Sequence, residues 1–420
     1  MNKKRKTEKS TLYTFLKKLG PGIITGASDD DPSGIVTYSQ AGAQFGLMTL
    51  WTAFITFPLM LAIQEMCARI GMITKEGLTS NIQKHYSPFI LFFIILLTLP
   101  AILLNISADI AGMGAVAHLI MPSVSPTIFS VLITALLICS LIFLSYQRIV
   151  KFLKYLCLSI LLYLVIPFLS NADWGAIIKA TFAPQISFSK EYFSVLVAIL
   201  GTTISPYLFF WQATMEAERK NKPKATLRVD KQEITDMKQD VATGMFCSNL
   251  VMYFIILTTG VTLFPNGIHQ IDTVEQAAKA LEPLVGTYSY WLFALGVIGT
   301  GFLAIPVLCG SLSYIVSTAF HWNTGLNKKY YQAKLFYGVI TLSLLIGLGL
   351  NFLEFSPMKA LFYTAVLYGV TAPVLILLIL HIANNKKIMG KNTNGWLSNF
   401  LGFSTFILMS LAALLLLFIS

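Results

Sequence analysis

The sequence is poor in charged residues. Lys, Arg, Asp and Glu make up 12% of its 420 residues, whereas 55% are hydrophobic. An ordinary soluble domain is about one-quarter charged, so this composition argues against a soluble protein. The longest polar stretch, 216–240, is rich in Lys, Glu and Asp and is predicted to be a solvated cytoplasmic connector instead of a domain, with a partly helical segment as the alternative.

Specific sequence patterns are missing as well. The five cysteines lie singly in apolar segments without Cys-x-x-Cys spacing, which is typical of small buried hydrophobic residues. The Gly-rich segment 296–301 is not followed by Lys-Ser or Lys-Thr, so it indicates helix packing and not a phosphate-binding loop. No small-residue cleavage site follows the basic tail 1–19, so we expect this tail to be retained in the cytoplasm.

Long apolar runs dominate the sequence instead. Several reach the ~20 residues that a helix needs to cross a ~30 Å hydrocarbon core. Because backbone groups in lipid must pair within their own segment, we interpret the chain as an all-α integral membrane protein. Eleven membrane helices are predicted, over residues 20–43, 46–70, 89–118, 126–147, 149–169, 191–217, 241–264, 287–319, 332–352, 357–383 and 398–419. A further amphipathic segment, 270–282, is expected to form a short helix on the membrane surface.

The positive charges fall on one side of this predicted topology. With the N-terminus inside, 26 of the 30 Lys and Arg residues lie in the basic tail or in the loops on the cytoplasmic side. The four exceptions are Lys179, Lys190, Lys279 and Lys359. This asymmetry predicts a multi-pass protein of the cell membrane with a cytoplasmic N-terminus and an external C-terminus. The net charge of +11 therefore needs no nucleic-acid partner; the lipid bilayer is the expected partner.

Two of the predicted helices are interrupted near their middle. The first is broken at 28–34, which reads Ser-Asp-Asp-Asp-Pro-Ser-Gly, and the sixth at 201–206, which reads Gly-Thr-Thr-Ile-Ser-Pro. Because five helices separate the breaks, the two segments must cross the membrane in opposite directions, as in an inverted repeat with its substrate held at the midplane. We therefore predict a transport core over 20–383, with repeats at about 20–169 and 191–383, and an additional helix at 398–420.

The first break carries three consecutive carboxylates, Asp29, Asp30 and Asp31. Each acid costs about 2.5 to 3.5 kcal/mol at the centre of a membrane helix, so something must compensate for them. A bound cation would satisfy both the carboxylates and the carbonyls that unwinding frees. Asp31, which directly precedes the proline, is the preferred ligand. Asp29 and Asp30 are candidates for the ion pathway, or they pair with polar side chains or face a water-filled vestibule.

The second break offers hard oxygen ligands. Thr202, Thr203 and Ser205 supply hydroxyls and carbonyls, and the segment has no sulfur or imidazole. Oxygen-only surroundings favour Mg²⁺, with Mn²⁺ as the alternative. Mg²⁺ gives up its water reluctantly, and the small residues Ser33, Gly34 and Ser205 would leave space for an ion that keeps several waters.

Other polar residues inside predicted helices are weaker candidates for the ion site or its pathway. Asp109 is either a pathway residue or a paired structural acid. Glu65 is expected to pair with Arg69 one turn later. Asn105 and Gln212 are expected to form hydrogen bonds between helices.

These residues resemble the natural resistance-associated macrophage protein (Nramp) family of divalent metal transporters. The first-helix signature of that family is similar to Gly20-Pro21-Gly22, Asp31-Pro32-Ser33-Gly34 and 40–46. Further similar segments are 68–78 at the end of helix 2, 108–111 in helix 3 and 200–206 in helix 6. The resemblance covers most of the chain in helix order. It implies a LeuT-type 5+5 inverted repeat with broken helices 1 and 6 and with alternating access.

The departures from the family pattern concern the metal site. Transition-metal members have Asp-Pro-Gly-Asn where this chain has Asp31-Pro32-Ser33-Gly34, so an asparagine ligand is missing. They have Met-Pro-His where this chain has Ser205-Pro206-Tyr207, and a glutamate in helix 3 where it has Gly112. The soft methionine ligand and two proton-handling groups are therefore absent.

This pattern is similar to the Nramp-related magnesium transporters. The resemblance implies that Asp31 is the charged metal ligand, that Thr202 supplies a carbonyl, and that Ser205 offers a hydroxyl or a water contact. It implies that the cation is transported cargo, that the protein uses no cofactor and that it is not an enzyme. We expect weak or absent proton coupling, with uptake driven by the inside-negative potential. An oligomer is not required.

Three alternatives stay open at this point. One is a proton-coupled Mn²⁺ or Fe²⁺ transporter of the same family. Another is a sodium-coupled amino-acid transporter of the same fold, although three acids would repel the carboxylate of its substrate. The last is an intramembrane aspartyl hydrolase that uses Asp31 and Asp109 as a dyad, which would leave the paired breaks unexplained.

Overall fold

A computed structural model describes residues 20–144, 163–170, 172–221, 229–282, 286–353 and 356–418. Throughout these ranges the regular elements are helices. In chain order the α-helices are α1 Pro21–Asp29, α2 Pro32–Phe45, α3 Trp51–Thr74, α4 Leu78–His85, α5 Pro88–Ile120, α6 Pro126–Phe143, α7 Ile166–Leu169, α8 Trp174–Phe182, α9 Lys190–Thr203, α10 Pro206–Lys220, α11 Lys231–Thr262, α12 Val274–Ala278, α13 Ser289–Ala319, α14 Lys334–Leu350, α15 Pro357–Asn384, α16 Lys386–Met389 and α17 Trp396–Phe418.

The membrane helices agree with the sequence prediction. Nine spans in the described part of the chain are long and apolar enough to cross a bilayer, with α9 and α10 together forming one of them. The first predicted helix is the pair α1 and α2. The fifth, predicted over 149–169, falls largely outside the described residues, which include only its last part, α7. The surface helix predicted at 270–282 is present as α12 followed by a 3₁₀ turn at Lys279–Leu281.

The predicted connector 216–240 is helical over most of its described length, which is the alternative that the sequence left open. Helix α10 continues to Lys220, and α11 already begins at Lys231. A capping box explains the early start, because the Glu233 N–H donates to Asp230 Oδ1 at 2.7 Å and the Asp230 N–H donates to Glu233 Oε2 at 3.2 Å. Lys220 then joins the two helices through an ion pair with Glu233 at 2.6 Å.

The structure tests two further predictions, one on an ion pair and one on the cysteines. The Glu65–Arg69 pair forms as predicted, with Arg69 Nε 2.9 Å from Glu65 Oε1. The prediction that all cysteines are buried is wrong for Cys139 and Cys247, whose side chains are exposed on the outside of the bundle. An apolar thiol on a lipid-facing helix surface costs little, so hydropathy alone does not distinguish this position from the core.

The interrupted helices lie at the centre of the bundle. The most apolar window of α9–α10 is 94% buried, against 28–33% for the spans formed by α5, α6 and α17. Helix α1 packs closely on α11, since a Cβ added to Gly26 would lie 2.2 Å from the Gly244 carbonyl oxygen. Surrounding helices therefore shield both breaks.

Candidate metal-ion site

The first break is built by an aspartate and a proline. Helix α1 ends at Asp29, and Asp31 caps α2 with an extended backbone while Pro32 takes the first helical position. Proline fits there because it lacks an N–H and its φ already suits a helix. Asp31 Oδ1 accepts a hydrogen bond from the Gly34 N–H at 2.7 Å. The break thus places a carboxylate at the N-terminus of a helix inside the membrane domain, where the helix dipole favours negative charge.

The second break uses the same local device. Helix α9 ends at Thr203, and Ser205 is the residue before Pro206 at the start of α10, but its side chain makes no capping bond to that helix. The Ser205 hydroxyl donates back to the Thr202 carbonyl at 2.5 Å and to the Gly201 carbonyl at 3.1 Å. The two atoms proposed as ligands at this break are therefore bonded to each other here, and each keeps a free lone pair for a cation or a water.

The two breaks lie against each other. A Cβ on Gly34 would lie 3.2 Å from Thr202 Oγ1 and 3.3 Å from the carbonyl oxygen of Asp29. The absence of a side chain at Gly34 therefore allows the unwound part of the first helix to approach the sixth. Ser33 is directed elsewhere, since its hydroxyl donates to the Leu361 carbonyl of α15 at 2.9 Å.

Asp31 is supported by two helices that sequence analysis did not connect to it. Asn105 Nδ2 on α5 donates to Asp31 Oδ2 at 2.9 Å, and the Thr364 hydroxyl on α15 donates to Asn105 Oδ1 at 3.1 Å. The predicted interhelical role of Asn105 is thus confirmed and its partner is the candidate ligand itself. Gln212 also bonds between helices, because its Oε1 accepts from the Thr25 hydroxyl of α1.

Asp29 and Asp30 both face α11. The Ser248 hydroxyl donates to Asp29 Oδ2 at 2.6 Å and lies 3.4 Å from Asp30 Oδ1. One hydroxyl has one proton, so it satisfies one of these oxygens at a time. Asp29 Oδ1 has no partner at all. No sequence signal marks Ser248, since serine is common in membrane helices.

Asp109 is the least satisfied of the acids. Its side chain is fully buried, and within the described part of the chain neither carboxylate oxygen completes a hydrogen bond, although the Ser33 N–H lies near it. It lies one helical turn after Asn105 on α5 and close enough to Asp31 for the two charges to interact. The structure therefore brings Asp109 next to the break, as a pathway residue requires.

The surroundings of the second break are not purely oxygen. The Thr203 hydroxyl, which lies 3.2 Å from the Tyr38 hydroxyl, also donates to the Met252 sulfur at 3.4 Å. The prediction of a sulfur-free environment is wrong in this respect, because helix α11 contributes a methionine that is remote in sequence. Ser205 itself has no sulfur among its hydrogen-bond partners.

Four acids are thus buried without an opposite charge. Asp29, Asp30, Asp31 and Asp109 are each at most 5% exposed, and none of them takes part in a salt bridge with a described residue. Unpaired buried carboxylates are costly, so they require cations or protons. Among the described residues no three Asp, Glu, His or Cys side chains are grouped tightly enough to hold a metal. An ion here would also need carbonyls, hydroxyls or water.

Both ends of the bundle close over these acids. At the α1 end, the Asp240 carboxylate accepts from the Gly20 and Gly22 N–H groups at 2.6 and 2.8 Å, and the Tyr207 hydroxyl donates to the Ser28 carbonyl at 2.8 Å. At the α2 end, Gln40 Oε1 accepts from the Ile271 N–H at 2.8 Å. A cavity of about 470 Å³ opens beyond Gln40.

A model of the family described as natural resistance-associated macrophage protein-like matches residues 22–419. The chain belongs to the Nramp family. The predicted resemblance is thereby confirmed, and so is the prediction that the chain is a membrane transporter and not an enzyme.

Relatives and solved structures agree with this family over nearly the whole chain. A protein named divalent metal cation transporter MntH from Caldanaerobacter subterraneus subsp. tengcongensis is 24% identical over 90% of this chain and 87% of its own length. The MntH of Mycobacterium leprae is 25% identical over 97% of this chain and 93% of its own length.

The same fold occurs in solved transporters. The Eremococcus coleocola manganese transporter, crystallised with an aromatic bis-isothiourea substituted compound, superposes with a TM-score of 0.75 at 18% identity, covering 96% of this Nramp chain and 87% of that one. The inward-facing conformation of Mhp1 superposes with a TM-score of 0.53 at 12% identity, covering 95% and 89%. The LeuT-type fold predicted for the chain is therefore confirmed.

Proposed function

We propose that this Nramp protein transports a divalent metal cation through a site centred on Asp31, with Mg²⁺ as the preferred ion. The single observation that carries the proposal is the buried Asp31 carboxylate at the meeting point of two helix breaks, where it has no cationic side chain as partner. Relatives that match nearly the whole chain are named divalent metal cation transporters. Thr202 and Ser205 would add a carbonyl and a hydroxyl or water contact, and Ser33 and Gly34 would shape the space beside them.

The preference for Mg²⁺ is supported by the oxygen chemistry at both breaks. Ser205 occupies a position from which a methionine would offer a soft thioether, and serine offers an oxygen instead. Hard oxygen ligands and room for retained water suit Mg²⁺. Mn²⁺ is the second candidate. The Met252 sulfur near Thr203 favours it, because a thioether binds softer ions better than Mg²⁺.

The charges of the loops support an orientation of the protein in the membrane. Arg219 and Lys238 lie at the α1 end of the bundle, near Gly20 and Glu65 respectively. The positive-inside rule makes this end cytoplasmic, so that the basic tail 1–19 lies inside and the additional helix 398–420 ends outside. Alternating access would open the Gln40 side and the Asp240 side in turn. The carboxylates of Asp29, Asp30 and Asp109 would contact the ion as it moves through the protein.

The test is uptake into proteoliposomes that contain a Mg²⁺-sensitive or a Mn²⁺-sensitive dye. Wild-type protein should give a saturable Mg²⁺ signal, and Asp31→Asn should abolish it. Asp173→Asn is a matched control, since Asp173 caps the short peripheral helix α8 and asparagine is an equally good cap. Normal Mg²⁺ uptake by Asp31→Asn would refute the site. Mn²⁺ entry without any Mg²⁺ signal would make Mn²⁺ the substrate.

A further inference from the structure

Three buried oxygens on α5 and α15 have no complete hydrogen bond with any described residue. Two belong to the Asp109 carboxylate, and the third is the Tyr368 hydroxyl. Tyr368 is 1% exposed, and its hydroxyl lies near Asn105 and close enough to Asp31 and Asp109 to interact with both charges. Buried oxygens rarely stay unpaired in native proteins, so this group indicates a missing partner.

The surrounding contacts fix these oxygens in place. Asn105 and Asp109 lie one turn apart on α5, as Thr364 and Tyr368 do on α15. The bonds from Thr364 to Asn105 and from Asn105 to Asp31 connect the two helices to the first break. The Tyr368 ring also packs against Tyr207 of α10, with ring centroids 5.8 Å apart. The three oxygens therefore border the candidate ion site and are not scattered through the core.

The charge of this group matches one divalent cation. Asp31 and Asp109 together carry two negative charges when both are ionised, and the described salt bridges neutralise neither of them. Mg²⁺ is commonly held by one or two carboxylates while it keeps several waters. A water on the ion would donate hydrogen bonds to the orphan carboxylate of Asp109, and the Tyr368 hydroxyl could accept one as well.

We propose that Asp109 and Tyr368 are further binding residues for the ion, and that they hold the water shell of the cation whose charge Asp31 neutralises. This inference rests on the proposed function and deepens it. The site becomes a two-carboxylate site spanning the start of α2, α5 and α15. It favours a hydrated divalent ion because one such ion balances both carboxylates when they are ionised.

The experiment is calorimetric titration of the purified full-length protein with MgCl₂ alone. Asp109→Asn keeps the size of the side chain and removes its charge, and Tyr368→Phe removes one oxygen. Each should raise the Mg²⁺ dissociation constant about tenfold or more, as loss of outer-shell partners does at metal sites. Asp173→Asn serves as the charge control. Tyr163→Phe is the matched hydroxyl control, because the Tyr163 hydroxyl is also buried and has no hydrogen-bond partner among the described residues.

The outcomes separate this inference from the proposed function. If the wild type neither binds nor takes up Mg²⁺, the proposed function has failed. If the wild type binds Mg²⁺ and Asp31→Asn does not, but Asp109→Asn and Tyr368→Phe bind as the wild type does, the inference is overturned and Asp109 is a structural or proton-carrying acid. If Asp109→Asn does not yield folded protein, Tyr368→Phe tests the inference by itself. The inference requires that Tyr368→Phe bind Mg²⁺ more weakly than Tyr163→Phe.

Discussion

Asn105 restricts the position of the Asp31 carboxylate. Its amide donates to Asp31 Oδ2 and is itself held by Thr364, so the carboxylate is fixed from a second helix. Asn105→Ala should raise the KM for Mg²⁺ uptake by about tenfold to a hundredfold, the usual cost of losing a group that orients a metal ligand. Uptake kinetics in proteoliposomes measure the effect.

Asn351→Ala is the control for that change. Asn351 makes the same kind of bond to α5, accepting from the Ser107 hydroxyl at 2.8 Å, but it does not contact Asp31. A KM that rises equally in both variants would show that general packing of α5, and not the orientation of Asp31, is responsible.

Ser205 is expected to set the preference between hard and soft ions. Its hydroxyl lies on the unwound backbone of the second break. Ser205→Met would place a thioether there, and the ratio of Cd²⁺ to Mg²⁺ affinity should rise because sulfur prefers softer ions. Competition of each ion against Mn²⁺ uptake measures the ratio. Ser205→Ala is the control, because it removes the hydroxyl without adding sulfur and should not raise the ratio as far. A ratio that stays unchanged in Ser205→Met would place Ser205 outside the site.

Single residues differ in how far the sequence predicted them. Asp31 was identified because an acid next to a proline inside an apolar run is unusual in itself. Asn105 could have been connected to the site, since it precedes Asp109 by one turn and the two share a helix face. Ser248, Thr364 and Met252 could not, because their roles depend on how neighbouring helices are rotated and the sequence carries no sign of that.

At the scale of elements, α1 depends on a close contact with α11. A methyl group on Gly26 would meet the Gly244 carbonyl at 2.2 Å, whereas one on Gly349 of α14 would meet no atom within 4 Å. We expect Gly26→Ala to destabilise the protein by about 1–3 kcal/mol, the usual cost of overpacking. Gly349→Ala should have no such cost. Thermal unfolding of the two variants in one detergent measures the difference, and equal Tm values would contradict the close packing.

The start of α11 shows why helix ends were harder to predict than helix centres. The helix has 32 residues and is about 48 Å long, so it exceeds a ~30 Å hydrocarbon core. The helix is therefore long enough for its polar first turns to extend beyond the hydrocarbon core. Hydropathy alone predicts a connector for such polar turns. The sequence contains the capping signal of Asp230 and Glu233, which marks the start of a helix. The polar composition of the segment favours a connector, and the prediction followed the composition.

At the scale of the whole molecule, two separate closures surround the acids. The Asp240 contacts fix the start of α1 at one end, and the Gln40 contacts hold residues 269–271 on α2 at the other. Neither set touches the Asp31 carboxylate. Under the alternating access that we propose, one end would be released while the other stays closed, without first dismantling the site.

The charge of the ion then determines what drives uptake through this cycle. The chain has Tyr207 and Gly112 at the two positions where the resemblance implies proton-handling groups in transition-metal members, so we expect Mg²⁺ to move without a proton. An inside-negative potential of 100 mV favours entry of a doubly charged ion by about 4.6 kcal/mol, or roughly two thousandfold at equilibrium.

Proteoliposomes with a potassium diffusion potential test this expectation. Mg²⁺ uptake should increase as the interior is made more negative, and an internal pH dye should stay constant. The Asp31→Asn protein, which should not transport Mg²⁺, measures how much Mg²⁺ leaks through the liposome membrane under the same potential. Acidification that tracks Mg²⁺ entry, and persists when the potential is clamped at zero, would mean that a proton moves with the metal. The buried acids that remain, Asp29 and Asp30 beside Ser248, would then be its first candidate carriers.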